Sequence, residues 1–369
     1  MAAPVTADGR NEVDAASAAT HIVPGPGAVS HPCLSNLVIY TEDVSDEHVL
    51  TDAISEYLVK QPCRVMLALA QPRSGQRTLA VESSAHTYSD GGGKSVMCDQ
   101  ITLRASGAAV KELAGAVQPL LVADLPTYLW WRGIFLTQRP LVEQFLTFAD
   151  RFIYDGVHWT NLHFTVLQVA DFLSRYDDKV AFTNFNWSRL RPWREGIADF
   201  FDPGLYEREV WEVRHVRIGF MALPGSEEGH QFRALLLLAW LAVQLEWEPV
   251  AGRPGIEQAD LEFRGKNGDP VHTELVMLPQ SGPTSQGLQQ VVLSSGSGET
   301  GHEFIVERDH EEHLMILRHR DASTESVLRT VPHADSSIAD LLHRELGRRV
   351  RNRVFERSFK MASRLLDMI

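Results

Sequence analysis

The sequence predicts an α/β amino-terminal domain, Rossmann-like with a mostly parallel sheet, followed by an α+β carboxy-terminal domain. Three observations carry this expectation. From Leu37 to Asp155, short apolar runs alternate with amphipathic stretches, as strands do when helices carry the chain across a sheet. After Asp155 the alternation stops, and strands and helices come in mixed blocks. The chain of 369 residues is also longer than one hydrophobic core usually serves. The expected division is a flexible tail over 1–33, lacking the continuous apolar segment of a signal peptide, an α/β domain over 34–155 and an α+β domain over 156–369.

In the first domain "NLVIYTE" reads as a strand, "SDEHVLTDAISEYLVKQ" as an amphipathic helix capped by Ser45, and "RVMLALA" as a second buried strand. A strand at "CDQITLRAS", a helix over Ala108–Val122, a strand at "TYLWW", a helix across Leu141–Ala149 and a strand at "RFIYD" continue the series. Two such units in succession imply parallel pairing.

In the second domain "NLHFTVLQVADFLSRY" and "PWREGIADFF" read as helices, with "FNWSRL" an extended approach to the latter, because Pro192 suits a first helical turn. "VRHVRIGFMAL", "ADLEFRG", "HTELVML" and "LQQVVLSS" read as strands. The apolar run "ALLLLAWLAV" is a buried helix, too short for the roughly 20 residues that cross a bilayer, with Arg233 and Glu246 at its watery ends. "HEFIVERDHEEHLMILRHR" reads as a hairpin turning at Asp309–Glu312. A last helix opens at Ser336 or Ser337, with Ile338, Leu341, Leu342, Leu346, Val350, Val354 and Leu365 on one stripe.

Composition excludes several functions. A net charge of −13 argues against nucleic-acid binding, although residues 336–369 carry eight Lys/Arg against four Asp/Glu. Cys33, Cys63 and Cys98 are too few and scattered for a disulfide scaffold and form no CxxC pair, which fits a reducing cytoplasm. No membrane segment and no metal or cofactor motif is expected.

The motifs that imitate catalysis fall short. "YSDGGGKS" resembles the end of a phosphate-binding loop, but the first glycine of that pattern falls at Tyr88 and a strand follows Ser95, where the chemistry needs a helix. The first strand leads into "YTEDVSDEH", acidic side chains in place of a dinucleotide-binding GxGxxG. "HEEH" at His310–His313 sits at a hairpin turn and lacks the helical face of a zinc site. No GxSxG elbow occurs.

Two stretches remain as candidate sites. In "DLPTYLWWRG", Trp130, Trp131 and Arg132 lie at the carboxyl end of a strand, where open α/β sheets bind ligands, unless they simply pack a buried strand. In "NFNWSRLRPWRE", Trp187, Arg189, Arg191, Trp193 and Arg194 put two tryptophans and three arginines within eight residues. Such a cluster could hold an anion between aromatic walls, anchor a protein partner, or consist of buried tryptophans whose arginines pair with local carboxylates such as Glu195.

"CDQITL", "PLLVADLPTYLWWRG", "ADRFIYD", "NFNWSRLRPWRE" and "ALLLLAWLAVQLEW", in that order, resemble the glucose-6-phosphate dehydrogenase assembly proteins called OpcA. The resemblance covers most of the chain from about Leu37 past the buried helix. It implies a non-catalytic accessory protein that binds glucose-6-phosphate dehydrogenase, promotes its active oligomer and so controls entry to the oxidative pentose phosphate pathway. The alternative from the residues alone is an enzyme or sensor holding a sugar phosphate or nucleotide with Arg132 and the Trp/Arg cluster. The thioredoxin control linked to some cyanobacterial relatives carries over poorly, since the three cysteines have no resolving partner at short spacing.

Overall fold

The computed structural model describes residues 33–89, 95–133, 138–155, 161–176, 179–202, 206–255, 257–280, 286–296, 301–348 and 350–369. The tail, the glycines of "YSDGGGKS" and the side chain of Cys98 lie outside the described residues.

The chain begins with β1 (Asn36–Thr41), α1 (Glu47–Lys60), β2 (Arg64–Gln71), β3 (Thr78–Ser89), β4 (Ser95–Ser106) and α2 (Leu113–Val117). It continues through β5 (Thr127–Trp131), α3 (Arg139–Phe145), β6 (Arg151–Tyr154), α4 (Leu162–Tyr176) and β7 (Ala181–Asn184). Then come α5 (Phe185–Arg189), α6 (Arg191–Phe200), β8 (Val213–Met221), α7 (Glu227–Gln244) and β9 (Glu248–Arg253). The strands β10 (Gln258–Arg264), β11 (Pro270–Met277), β12 (Gly287–Ser295), β13 (His302–Asp309), β14 (Leu314–Asp321) and β15 (Glu325–Pro332) precede α8 (Ile338–Leu346) and α9 (Arg353–Leu366).

Two compact units result. The first takes residues up to Tyr154 with Tyr176–Phe182 and Ser337–Arg349, and the second takes Asp155–Arg175, Thr183–Ser336 and Val350–Ile369.

The first unit is Rossmann-like: its seven-stranded sheet runs β3-β4-β2-β1-β5-β6-β7, and β4, β2, β1, β5 and β6 pair in parallel. The central strands are apolar on both faces because helices cover both, and every residue of β1 and β5 is buried. Asn36, itself buried, fixes the start of β1 by accepting from Val122 N at 2.9 Å and donating to Val122 O at 3.0 Å. Trp131 stacks face to face on Tyr40 across the β1–β5 pair, with centroids 3.8 Å apart. On α8, Glu345 lies beside buried Arg151 of β6, which donates to Arg348 O at 2.6 Å, and α8 packs on α1.

The second unit is α+β. Its eight-stranded sheet has the order β15-β14-β13-β12-β8-β11-β10-β9, antiparallel except for the β8–β11 pair. Alternation is clean in β10 and β11: Ala259, Leu261, Phe263, Val271 and Leu275 are buried while Glu262, Arg264, His272 and Glu274 face water. α7 packs on β8, β11 and β12 with α9 against it, and α6 lies on β13. The leucine-rich stretch is buried inside α7, which starts at Glu227; Arg233 therefore sits in its second turn and not at its end. Glu246, at φ 55°, turns the chain out of the helix into β9.

The structure departs from the sequence pattern in four further places. β3, β7, β9 and β15 were not expected, and β3 makes an antiparallel hairpin with β4 at the edge of the otherwise parallel run. "FNWSR" is helical, because the Asn184 side chain accepts from Asn186 N at 2.8 Å and caps α5. Asp43, in place of Ser45, caps the first helical turn, accepting from Ser45 N at 2.9 Å. The terminal helix is two helices: α8, with a Ser337–Asp340 capping box, ends at Gly347, and Val350 of the expected apolar stripe is 77% exposed.

Trp131→Ala would open a cavity beneath Tyr40 and is expected to cost about 3–5 kcal/mol in urea unfolding, against about 1 kcal/mol for Ile39→Val on the same sheet.

Candidate functional site

In the first unit the carboxyl end of β1 is acidic. Glu42, Asp43 and Asp46 follow β1 in the crossover, and Glu47 opens α1. Hydrogen bonds from Ser45 hold the Asp43 carboxyl below the usual carboxylate range. A dinucleotide pyrophosphate at this strand end requires glycine amides beside a helix N-terminus; the crossover supplies no glycine and is acidic instead, with Asp46 taken by Arg132 and Glu47 by Arg104. The residues present do not fit that cofactor. Arg132, one strand over, is held by Asp46, donating through Nη2 at 2.6 Å and Nε at 3.2 Å, and lies 5.2 Å from the Trp130 ring centroid. Trp130 and Trp131 are wholly buried in β5.

In the second unit the Trp/Arg segment splits between several roles. Leu190 alone separates α5 from α6, and Pro192 lies in the first turn of α6 as expected. Trp187 and Trp193 are each 3% exposed. Trp187 packs on Phe355 of α9 at 5.3 Å, and the Arg194 guanidinium lies over its ring, 3.3 Å from the centroid. Arg191 points to water and pairs with Glu195 at 2.7 Å. Arg189 is drawn inward and grips Asp155 bidentately, at 2.8 and 3.0 Å, while also donating to Asn186 Oδ1 at 3.1 Å.

Arg189 and Trp193 reach one cavity of about 270 Å³ together with His230 and Arg233 of α7, Arg308 of β13 and His333. Arg308 donates to Asp335 at 2.9 Å, and Arg233 donates to Asn186 Oδ1 at 3.3 Å. Burial, reinforced by the charge of Arg189, pushes the Arg233 guanidinium down to about 9, so it still carries its proton at neutral pH. Burial, and then Arg233, pushes His230 down to about 4. For Asp335, burial opposes the charge, but the hydrogen bond and charge of Arg308 outweigh it and hold the carboxyl low.

The segment's arginine density pointed to a cationic site; its larger part comes from residues the sequence did not single out as a site. His230 and Arg233, three apart and so on one helical face, were a legible signal at the start of the leucine run. Arg308 and His333 offered none, because β-pairing alone brings them there.

A second polar cluster lies on β13 and β14. His302 Nδ1 and His319 Nε2 are 3.0 Å apart, and a ligand atom of each and of Asp321 lie within 4.8 Å of one another, a grouping that could hold a metal ion. The Asp321 carboxylate already accepts from Ser323 and Thr324, and Tyr206 pairs with His319 Nδ1 at 3.2 Å, so the cluster closes on itself without an ion.

The molecule is thus of the class that joins a Rossmann-like unit to an α+β unit with an eight-stranded sheet, its dinucleotide end blocked by carboxylates and its cationic cavity in the α+β part. Residues 54–171 match the family model described as the glucose-6-phosphate dehydrogenase subunit N-terminal domain, and residues 180–359 the corresponding C-terminal domain. The chain belongs to this OpcA glucose-6-phosphate dehydrogenase assembly family.

Among relatives named OxPP cycle protein OpcA, that of Synechocystis sp. is 32% identical over 209 residues, covering 56% of this chain and 42% of its own length. That of Synechococcus elongatus is 28% identical over 240 residues, covering 64% and 51%. The chain therefore spans about half the length of these relatives. Among solved structures, glucose-6-phosphate 1-dehydrogenase from Mycobacterium avium aligns with a TM-score of 0.53 at 13% identity, covering 91% of this chain and 92% of that one. An NAD-binding oxidoreductase from Klebsiella pneumoniae gives 0.52 at 11%, covering 91% and 95%. Such likeness shows the fold alone. Among the described residues no helix is long and apolar enough to cross a membrane.

Asp155→Asn, which strips Arg189 of its carboxylate, is expected to cost about 3–5 kcal/mol in chemical unfolding, whereas Arg191→Ala at the exposed pair costs under about 1 kcal/mol. A second expectation concerns acid. His230 protonates at about 4 in the folded chain, below the 6.5 of an unfolded one, so its neutral form favours folding at higher pH. As the pH falls from 6.5 to about 4 the unfolded chain gains the proton first, and up to about 3 kcal/mol of stability is lost. Comparing unfolding midpoints across that window, His230→Asn should show a correspondingly shallower decline; an identical slope would discount the shift.

Proposed function

We propose that this chain is a non-catalytic accessory protein that binds glucose-6-phosphate dehydrogenase and favours its assembled, active form, acting in the cytoplasm at the entry to the oxidative pentose phosphate pathway. The observation that carries this reading is the family match, which runs through both units. The acidic strand end from Glu42 to Glu47 supports it, because a chain with the fold of a dehydrogenase but carboxylates facing the dinucleotide position is better suited to binding an enzyme than to acting as one.

Such a factor requires no chemistry of its own. It needs only to bind the assembled state more tightly than the dissociated one, and each tenfold preference shifts that equilibrium by about 1.4 kcal/mol. On α6, Arg191 and Glu195 of the Trp/Arg segment and Ala198 just beyond it are exposed, while Trp193 of the same helix is buried. We assign the contact to this exposed face of α6. The net charge of −13 disfavours nucleic acid as an alternative partner.

The test is a titration of the same organism's glucose-6-phosphate dehydrogenase with this protein, read by specific activity and by light scattering. A saturable rise in activity with a shift to a larger species is expected, and Arg191→Glu should raise the half-saturating concentration at least fivefold without altering the protein's own melting temperature. No change in either readout under both reducing and oxidising conditions would overturn the accessory role. A normal response from Arg191→Glu would remove only the α6 face.

A further inference from the structure

The cavity between α5, α6, α7 and the ends of β12 and β13 carries more positive charge than its own residues neutralise. Arg189, Arg233 and Arg308 face two carboxylates, Asp155 and Asp335. Asp155 is committed bidentately to Arg189. Asp335 takes one nitrogen of Arg308 and lies at the rim with its side chain largely in water. Arg233 has no carboxylate within ion-pair distance among the described residues, and its one hydrogen bond there goes to the amide oxygen of Asn186.

Two further polar atoms are buried in the same wall without a hydrogen-bond partner: Nε of Arg308, whose side chain is 5% exposed, and Nδ1 of His230, a residue 4% exposed. Leaving such atoms unmade costs free energy in proportion to their desolvation, and a buried donor attached to a cation costs most. An anion placed between Arg233 and Arg308 satisfies the orphaned Nε donor and neutralises the excess charge at once.

The backbone leaves room for this arrangement. Gly287 has φ 92°, and a Cβ there would stand 3.1 Å from Nη1 of Arg233, so glycine both permits the turn into β12 and leaves the guanidinium its place. The volume of about 270 Å³ admits a phosphate with a few carbons attached and is too small for a dinucleotide. Around the cationic interior, Gln286, Ser336 and the rim carboxylate of Asp335 supply donors and acceptors suited to hydroxyl groups.

We propose that this cavity is a binding site for a compact phosphorylated polyol or sugar, with the phosphate held by Arg233 and Arg308, and the hydroxyls met by the rim and by Nδ1 of His230, which accepts. The site lies wholly in the second unit and stands whether or not the chain assembles a dehydrogenase.

Calorimetric titration of the full chain with hexose 6-phosphate, glycerol phosphate, inorganic phosphate, sulfate and the unphosphorylated hexose tests the assignment. The phosphate esters are expected to bind with submillimolar Kd, inorganic phosphate more weakly, and the free hexose at least a hundredfold more weakly than its ester. Arg233→Gln should weaken the ester at least tenfold, and Arg191→Gln, on the exposed face nearby, less than twofold. If circular dichroism shows Arg233→Gln unfolded, Arg308→Lys takes its place: it keeps the charge, loses the Nε donor and should weaken binding at least tenfold. No binding by the wild-type chain, equal binding of hexose and ester, or a loss under twofold in the folded cavity variant would overturn the proposal.

Discussion

The bidentate pair between Asp155 and Arg189 organises the cationic side of the second unit. Both groups are largely shielded from water, so their attraction offsets desolvation only if the geometry holds and the remaining nitrogens find acceptors. Asn186 completes the arrangement, its Oδ1 receiving Arg189 at 3.1 Å and Arg233 at 3.3 Å. One amide oxygen thereby joins a short helix to the long leucine-rich one, and fixes the positions from which the cavity is built. The Asn184 cap fixes the start of α5, the helix whose last residue is Arg189.

The two units treat charge in opposite ways. Where the Rossmann-like sheet offers its usual ligand position, carboxylates occupy the crossover and Arg132 is neutralised by Asp46. In the α+β unit, arginines gather around a cavity with too few acids to balance them. An overall charge of −13 hides this division, since composition sums over surface and interior alike. It also shows why a fold shared with dehydrogenases says little about chemistry: the sheet is retained, while the residues at its functional end are of the wrong sign.

Every strand interior to a sheet was legible in the sequence, and the four that were not, β3, β7, β9 and β15, are the four sheet edges. An interior strand such as "VMLALA" is apolar because neighbours and helices cover it. An edge strand such as "ESVLRTVP", exposed along nearly its whole length, has no such requirement and reads as loop. The candidate site divides in the same manner. Arg189 and Trp193 were visible because a dense local cluster is a local signal. Arg308, His333 and Asp335 arrive from strands and turns over a hundred residues away, and no spacing announces them. The tryptophans drew attention as possible ligand walls; their burial against Phe355 and beneath Arg194 gives them a packing role the sequence left open.

The first unit is closed by residues 337–349, made long after the rest of it. The apolar face of α8, with Leu341, Leu342 and Leu346, is buried in the finished molecule, and α1 is the helix it covers. Some 180 residues separate the end of β6 from the start of α8. At a synthesis rate of about 5–20 residues per second, the nascent first unit waits on the order of 10–40 s with that seat on α1 uncovered. The second unit is therefore largely synthesised before the first can be completed.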